Sequence, residues 1–197
     1  MLILFIQIQI DWENRKINDI GNDCLVSVDG TDFQLAYGKS KRKFWDYKFK
    51  GPGLRYEVAI CLRTSDIVWA YGPHLPGLYN DLQIFRKAMI HELEQWERAE
   101  ADDGYIGECP QHIKCSNGIT RQEDREKLNQ RQRNRHETVN ERFKNFGCMS
   151  KKFRHSPAKH GICFDCVIIL TQLAIEQGEE LFPIEYRDGL TDIEAGL

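Results

Sequence analysis

The sequence predicts an α/β protein built as one domain. Three observations support this prediction: a short apolar run rich in β-branched residues early in the chain, a pair of extended runs separated by a turn, and later stretches with helical periodicity. The chain has 197 residues, of which 41% are hydrophobic, so it is long enough to bury a sizeable core.

The first strand is predicted at Cys24–Asp29, with a turn at Gly30, because an apolar run here ends on a carboxylate followed by glycine. Gly51–Gly53, with a proline between the glycines, indicates a further turn. The runs Leu54–Leu62 and Ile67–Tyr71 are each extended and apolar, and a short polar segment separates them. We therefore predict that they form a hairpin.

A helix is predicted to follow Asn80 or Asp81, because both residue types suit the N-cap position. Its apolar residues recur at spacings of three and four and should form one buried stripe. These residues are Leu82, Phe85, Met89, Leu93 and Trp96. Beyond this helix, Ala101 and Asp102 are expected to end a short strand before a turn at Gly104.

Two further helices are predicted in the second half of the chain. Three apolar residues share one helical face that should pack on the core: Val139, Phe143 and Phe146. Glu137 points away from that face and lies on a polar, basic surface near Arg133. The run Ile162–Ile175 is apolar almost all round, which predicts a buried helix that ends at Gly178.

We divide the chain into a lead-in segment (1–23), one domain (24–186) and a tail (187–197). The opening run Leu2–Ile10 is too short to cross a bilayer and is interrupted by glutamines. It also lacks the basic flank and the small-residue cleavage site of a signal peptide. We therefore expect an intracellular protein that is not bound to a membrane.

Charge is distributed unevenly along the chain. The formal net charge is −3, yet residues 121–160 carry 12 Lys or Arg and 5 Asp or Glu, and residues 39–55 carry 7 and 1. Solvated surfaces of helices and hairpins would explain either basic segment alone. Together, two basic segments in an acidic chain favour a polyanionic partner such as DNA. Candidate DNA contacts in these segments are Lys43, Arg135, Arg142 and Lys144.

The seven cysteines are scattered and odd in number, which does not fit a secreted disulfide framework. Cys163 and Cys166 stand alone as one pair inside an apolar run, so we expect buried thiols. Cys109, His112 and Cys115 form a second possible cluster. They keep a zinc-binding module open as an alternative, although a fourth ligand at the usual spacing is missing.

Three carboxylates occur in different predicted contexts: Asp29 at a strand, Asp102 before a Gly-Tyr turn, and Glu137 on a helix. Hard divalent cations such as Mg²⁺ prefer oxygen ligands, and two of them can activate water for in-line phosphoryl displacement. Acidic ligands bordered by basic segments suit a phosphodiester substrate. Acidic residues are common, so composition alone does not select this trio.

Five segments that occur in a fixed order resemble the DDE superfamily endonuclease domain of Harbinger-type transposases and related insertion-sequence transposases. The segments are Val28–Phe33, Pro76–Arg86, Ala101–Tyr105, Arg135–Lys144 and Thr171–Phe182. The resemblance spans about Cys24 to Tyr186. It implies an RNase H-like fold, in which a mixed sheet with its first three strands antiparallel is flanked by helices. It also implies DNA cleavage with two Mg²⁺ or Mn²⁺ ions.

The resemblance places the catalytic and metal-binding trio at Asp29, Asp102 and Glu137. Asp102 matches the family pattern better than its neighbour Asp103, and Glu141 competes with Glu137 from one helical turn later. Asp81 matches an acidic position that recurs in the family, where it would be an accessory residue. A role for Asp81 as a helix cap remains an equal alternative.

The chain departs from transposases of this type because no helix-turn-helix pattern precedes the first predicted strand. Target specificity would then come from a separate DNA-binding protein, and the domain could act as a homo-oligomer. The alternative is a catalytically inactive relic that binds DNA or another partner. A nuclease of this kind would be nuclear in a eukaryote and cytoplasmic otherwise.

Overall fold

The computed structural model describes residues 10–16, 23–38, 40–119 and 121–182. Within them it contains six strands: β1 (Cys24–Gln34), β2 (Trp45–Asp46), β3 (Gly51–Cys61), β4 (Ile67–His74), β5 (Arg98–Glu100) and β6 (Ile113–Lys114). The α-helices are α1 (Asp81–Lys87), α2 (Gln122–Lys144), α3 (Gly147–Ser150) and α4 (Pro157–Glu176). Short 3-10 helices lie at Trp12–Arg15, Arg42–Phe44, Met89–His91, Asp103–Glu108 and Ser116–Gly118.

The strands form one mixed sheet in the order β4-β3-β1-β5-β6, and the short β2 pairs with the start of β3. The three strands predicted first along the chain, now β1, β3 and β4, are antiparallel. β5 is parallel to β1, and β6 is parallel to β5. The predicted α/β class with a partly antiparallel sheet is confirmed, and this arrangement is compatible with an RNase H-like fold. The predicted hairpin is also confirmed, as β3 and β4.

The turn predicted at Gly30 is wrong, because β1 continues through it to Gln34. The residues after Asp29 pair with β3 in an unbroken register from Asp29↔Val58 to Gln34↔Gly53. Asp29 therefore lies in the middle of a strand instead of at its tip. The turn predicted at Gly51–Gly53 is displaced as well. β3 begins at Gly51, and the chain turns just before it, where Lys50 has a φ of 48°.

The predicted long helix after residue 80 is also shorter than its apolar stripe suggests. Asn80 is the N-cap, and its side chain forms a reciprocal capping box with Gln83. The α-helix ends at Lys87, and a 3-10 turn follows. Phe85 and Met89 are buried as predicted, but Trp96 is 55% exposed. The helical period ends before Trp96, so the prediction that it joins the buried stripe is wrong.

Two hydrophobic clusters lie on opposite faces of the sheet. The larger one packs α2, α3 and α4 against β1, β3 and β4 and contains Phe33, Tyr56, Val139, Phe143 and Phe164. The second covers the other face beneath α1 and contains Val26, Val28, Phe85, Met89 and Tyr105. Alternation along β1 and β3 explains the division, because successive strand residues point to opposite faces.

Helix α4 is the most apolar helix of the described chain. By length and composition alone it could cross a membrane, but 44% of its most apolar stretch is buried inside the domain. Its inner face packs on the sheet through Phe164, Val167 and Ile168. The prediction that it is buried all round is only half right, because Ile162 is 64% and Leu170 is 49% exposed. Gly178, with a φ of 96°, ends it as predicted.

The described part of the lead-in segment is tied to the domain. Trp12–Arg15 forms a 3-10 helix, and the buried Arg15 makes two hydrogen bonds to Glu97, at 2.8 and 3.0 Å. The Arg15 guanidinium also lies 4.0 Å from the Trp12 ring centre. Most of the predicted apolar opening run and the whole predicted tail, 187–197, lie outside the described residues.

A candidate acidic cleft between the sheet and α2

The register of the parallel pair β1 and β5 brings Asp29 and Asp102 together. Ser27 of β1 lies opposite Glu100 of β5, and each aspartate follows its partner in that pair by two residues. Residues two apart in extended chain point to the same face. Ser27 and Glu100 both contact α2, so Asp29 and Asp102 face α2 as well. The two predicted carboxylates therefore lie side by side.

These aspartates line a cleft of about 130 Å³ between the sheet and α2. The sheet side contributes Val28, Asp29, Asp102 and Asp103, and α2 contributes Asn129, Gln132, Arg133 and His136. The α2 residues recur at spacings of three and four, which places them on one helical face. The cleft thus combines three carboxylates with amide, guanidinium and imidazole groups.

Asp29 is held in an environment that disfavours its charged form. Burial, and then the nearby carboxylates of Asp102 and Asp81, raise the pKa of Asp29 to about 7. Two effects oppose the rise: the Gly30 N–H donates a hydrogen bond of 2.7 Å to Asp29 Oδ1, and Lys48 contributes positive charge. A cation bound between the carboxylates would remove the cause of the repulsion.

Asp102 and Asp103 make different local contacts. Asp102 is the N-cap of the 3-10 helix Asp103–Glu108, and its Oδ1 accepts a hydrogen bond of 2.8 Å from the Gly104 N–H. Asp103 Oδ1 accepts a hydrogen bond of 2.9 Å from the Ser116 hydroxyl. Both line the cleft, so the structure keeps Asp103 beside Asp102, and the charge of Asp102 is, after burial, the largest cause of the raised Asp29 pKa.

The α2 side of the cleft carries two residues that sequence reasoning missed. His136 is buried, its Nε2 lies 3.0 Å from the Ser27 hydroxyl, and burial lowers its pKa to about 3, so the imidazole is neutral. Gln132 is also buried, and both polar atoms of its amide lack a hydrogen-bond partner among the described residues. A buried amide without partners is costly unless a ligand or water satisfies it.

Glu137, the predicted third carboxylate, is exposed and is not among the residues that line the cleft. It follows His136 directly, so it lies about 100° further round the helix. Glu141 is exposed as well. The structure therefore brings together two members of the predicted trio and leaves the third outside, where its role as a metal ligand stays a prediction.

Asp81 lies on the opposite face of β1. A side chain at Gly30 would place its Cβ 2.1 Å from Asp81 Oδ1, so the glycine makes room for this carboxylate. Asp81 Oδ1 lies 3.3 Å from Arg55 Nη1, and Arg55 also binds Asp32 through two hydrogen bonds of 2.7 and 3.0 Å. Asp81 thus belongs to an ion-pair network, while Asn80 is the helix cap.

The four basic residues proposed as DNA contacts differ in exposure. Lys43 and Lys144 are exposed, whereas Arg142 is half-buried and pairs with Glu179 at 2.7 Å. Arg135 is only 5% exposed and pairs with the equally buried Glu100 at 2.9 Å. The structure corrects the proposal for Arg135, because a guanidinium buried against a carboxylate is not presented to DNA.

The donor atoms of the cleft fit a hard divalent cation. Carboxylate oxygens of Asp29 and Asp102, with the unpartnered amide of Gln132 beside them, are the type of ligand that Mg²⁺ and Mn²⁺ prefer. Within the described residues, however, no three His, Cys, Asp or Glu side chains are close enough to form a metal-binding group. Cys109, His112 and Cys115, the alternative zinc ligands, therefore do not form such a group either. The predicted buried thiol pair is only partly buried, because Cys166 is exposed.

Comparisons with known proteins add no identification. The chain matches none of the protein-family models, curated proteins or solved structures with which it was compared. The class that the fold defines is a mixed α/β domain with one six-stranded sheet, carrying an acidic cleft at the junction of β1, β5 and α2. Function is therefore argued from the cleft itself.

Proposed function

We propose that this protein is a metal-dependent DNA endonuclease of the DDE transposase type. The observation that carries the proposal is the pairing of Asp29 and Asp102 in one cleft, enforced by the parallel register of β1 and β5. Neighbouring strands that deliver two carboxylates to one place are a common way to hold Mg²⁺ with few protein ligands. In a eukaryotic cell this substrate would place the protein in the nucleus.

Five residues of the cleft have a part in this proposal. A bound Mg²⁺ or Mn²⁺ supplies Lewis-acid polarisation of the phosphate and a water of lowered pKa. Asp29 and Asp102 hold the metal, and Arg133 at the cleft contributes positive charge towards the phosphate. Gln132 could offer its unpartnered amide to a ligand bound in the cleft. Neutral His136 adds no charge that would compete with a cation.

Replacing Asp29 with asparagine tests the proposal. We expect Asp29→Asn to reduce nicking of supercoiled plasmid in Mg²⁺ or Mn²⁺ by about 100-fold or more, because the metal loses a charged ligand. Asp165→Asn is the matched control, since Asp165 is an exposed aspartate of α4 outside the cleft. Cleavage that survives Asp29→Asn, or that is lost equally in the control, contradicts the assignment.

The same assay examines the predicted third ligand. Glu137→Gln and Gln132→Ala change two residues of α2 that lie five positions apart, the first exposed and the second in the cleft. The described geometry favours a larger loss of cleavage for Gln132→Ala. If Glu137→Gln abolishes cleavage and Gln132→Ala does not, Glu137 is the third metal ligand, as the sequence predicts.

A second candidate function is DNA binding without cleavage. The position of Glu137 favours this alternative, because Glu137 lies outside the cleft. A cleft that holds only two of the three predicted carboxylates fits a protein that has lost its catalytic activity. Such a protein should bind DNA with strong salt dependence and show no metal-dependent nicking at any protein concentration. The plasmid assay with wild-type protein therefore distinguishes the two functions.

A further inference from the structure

Residues 41–50, which include the 3-10 helix Arg42–Phe44 and the short strand β2, form a basic connection before β3 that we call the basic loop. It projects one aromatic side chain into solvent. Tyr47 is 82% exposed, whereas Phe44 is buried and Trp45 and Phe49 are half-buried. Tyr47 has no ring or hydrogen-bond partner among the described residues. Its ring therefore contributes little to folding, and tyrosines placed this way are frequent contact residues at binding surfaces.

The surface around Tyr47 is positive. Five exposed cationic side chains belong to the loop: Lys41, Arg42, Lys43, Lys48 and Lys50. Its one acidic residue, Asp46, is buried, and Asp46 Oδ2 lies 3.7 Å from Arg55 Nη2. An exposed aromatic ring among lysines matches the requirements of a single nucleic-acid strand, whose phosphates need cations and whose bases stack on aromatic faces.

The loop is fixed in position before any ligand binds. Asp46 Oδ1 accepts hydrogen bonds from the backbone N–H groups of Lys48, at 2.8 Å, and Phe49, at 3.1 Å. On the other side, the Gly77 N–H donates a hydrogen bond of 3.1 Å to the Lys43 carbonyl. A loop braced by internal hydrogen bonds and by one bond to a neighbouring segment loses less conformational entropy when it binds, which favours affinity.

We propose that the basic loop binds an unpaired nucleotide of single-stranded DNA, with Tyr47 stacked on the base and Lys48 on a phosphate. The choice of DNA as the polymer rests on the proposed function. The site would hold a strand that has been separated from its complement, because only an unpaired base has a free face to stack on Tyr47.

Binding measured without cleavage tests this inference. Fluorescence anisotropy of labelled oligo(dT) and of a blunt 20-base-pair duplex is recorded in EDTA, so that no metal-dependent reaction occurs. We expect Tyr47→Ala to weaken oligo(dT) binding by about 10-fold and Tyr47→Phe to leave it nearly unchanged, because the Phe ring still stacks. Duplex binding should change far less, since paired bases offer no free face at this site.

Trp96→Ala is the matched control, because Trp96 is an exposed aromatic residue outside the basic loop. Its binding of oligo(dT) should equal that of the wild type. The inference is overturned if Tyr47→Ala binds like the wild type, if it loses duplex and oligo(dT) binding equally, or if the control loses as much. Tighter binding of oligo(U) than of oligo(dT) would overturn the choice of DNA.

Salt dependence tests the phosphate contact separately. Lys48→Ala should reduce the slope of log K against log salt concentration for oligo(dT) by about 0.7, the value expected for one lost phosphate contact on a single strand. An unchanged slope overturns the role of Lys48. Oligo(dT) binding that depends on Tyr47, in a protein that shows no metal-dependent nicking, would refute the nuclease function and support the single-strand site. Metal-dependent nicking without Tyr47-dependent binding would support the nuclease function and refute the single-strand site.

Discussion

Asp29 should make the stability of the metal-free protein depend on pH. Its pKa in the folded protein is raised to about 7, so between pH ~4 and ~7 the folded state holds a proton that the unfolded state has released. The free energy of unfolding therefore falls as pH rises through this range. Asp29→Asn removes this pH dependence. The free energy of unfolding of the variant minus that of the wild type should therefore be about 2 kcal/mol larger at pH 8 than at pH 5.

Thermal unfolding in EDTA at these two pH values measures the difference. About 2 kcal/mol corresponds to roughly 4–8 °C in Tm for a chain of this size. Glu57, whose pKa burial raises to about 8, contributes a slope of the same sign, but it is present in both proteins and cancels. A Tm difference that is equal at pH 5 and pH 8 would show that Asp29 ionises normally.

Single residues of the cleft were predictable where strand alternation sets their direction. Asp29 and Asp102 follow extended segments, and a period of two keeps each on one face. Gln132 and His136 were missed, because a polar helix with charge all round does not reveal which of its faces meets the sheet. Arg135 was misjudged for a related reason: its partner, Glu100, is 35 residues away in sequence, so nothing local signals that it is buried.

At the level of elements, the basic loop depends on a close approach that only glycine permits. An added Cβ at Gly77 would lie 2.1 Å from the Arg42 carbonyl oxygen, which is backbone and cannot rotate away. Gly77→Ala should therefore cost about 1–3 kcal/mol of stability, as other overpacked sites do, and should push the loop from its position. Urea unfolding measures the loss in stability.

Gly147→Ala is the matched control, because no atom lies within 4 Å of a Cβ added at Gly147. Its urea midpoint should stay close to that of the wild type. If Gly77→Ala also keeps the wild-type midpoint, the loop and the residue 77 segment separate at little cost, and the loop is not rigidly held.

The length of β1 shows why element boundaries were harder to predict than element types. Gly30 in a short apolar run is a reasonable turn signal. In the structure it lies inside a strand, because β3 offers a continuous pairing partner and Asp81 occupies the space where a side chain would be. Both causes come from distant segments. The helix after Asn80 was instead predicted too long. Its start was correct because a local capping box sets it, whereas its end is set by tertiary packing.

At the scale of the whole molecule, the fold class was predictable because periodicity is local, and the sheet order was not derivable from periodicity. Runs with period two and period 3.6 identify strands and helices wherever they occur. The order β4-β3-β1-β5-β6 depends on which strands pair, and the sequence led us to expect only that the first three strands are antiparallel. The cleft follows from this order, since it requires β5 to lie parallel to β1.

The larger hydrophobic cluster should dominate stability, and Phe164 of α4 lies at its centre. Its ring centre is 3.8 Å from that of Tyr56, 5.4 Å from that of Phe33 and 5.5 Å from that of Phe143. Phe164→Ala therefore removes contacts to two strands and to α2 at once. We expect it to cost about 3–5 kcal/mol, the usual range for a buried phenylalanine.

Ile162→Ala provides the comparison on the same helix, because Ile162 is 64% exposed. Truncation of an exposed side chain should change stability by no more than about 0.5 kcal/mol. Thermal unfolding should then give a Tm lower by roughly 6–20 °C for Phe164→Ala and a Tm near that of the wild type for Ile162→Ala. Equal losses would mean that the outer face of α4 is packed against something as well. A Phe164→Ala protein as stable as the wild type would mean that α4 does not complete the core, and the two-sided arrangement that positions α2 over Asp29 would have to be abandoned.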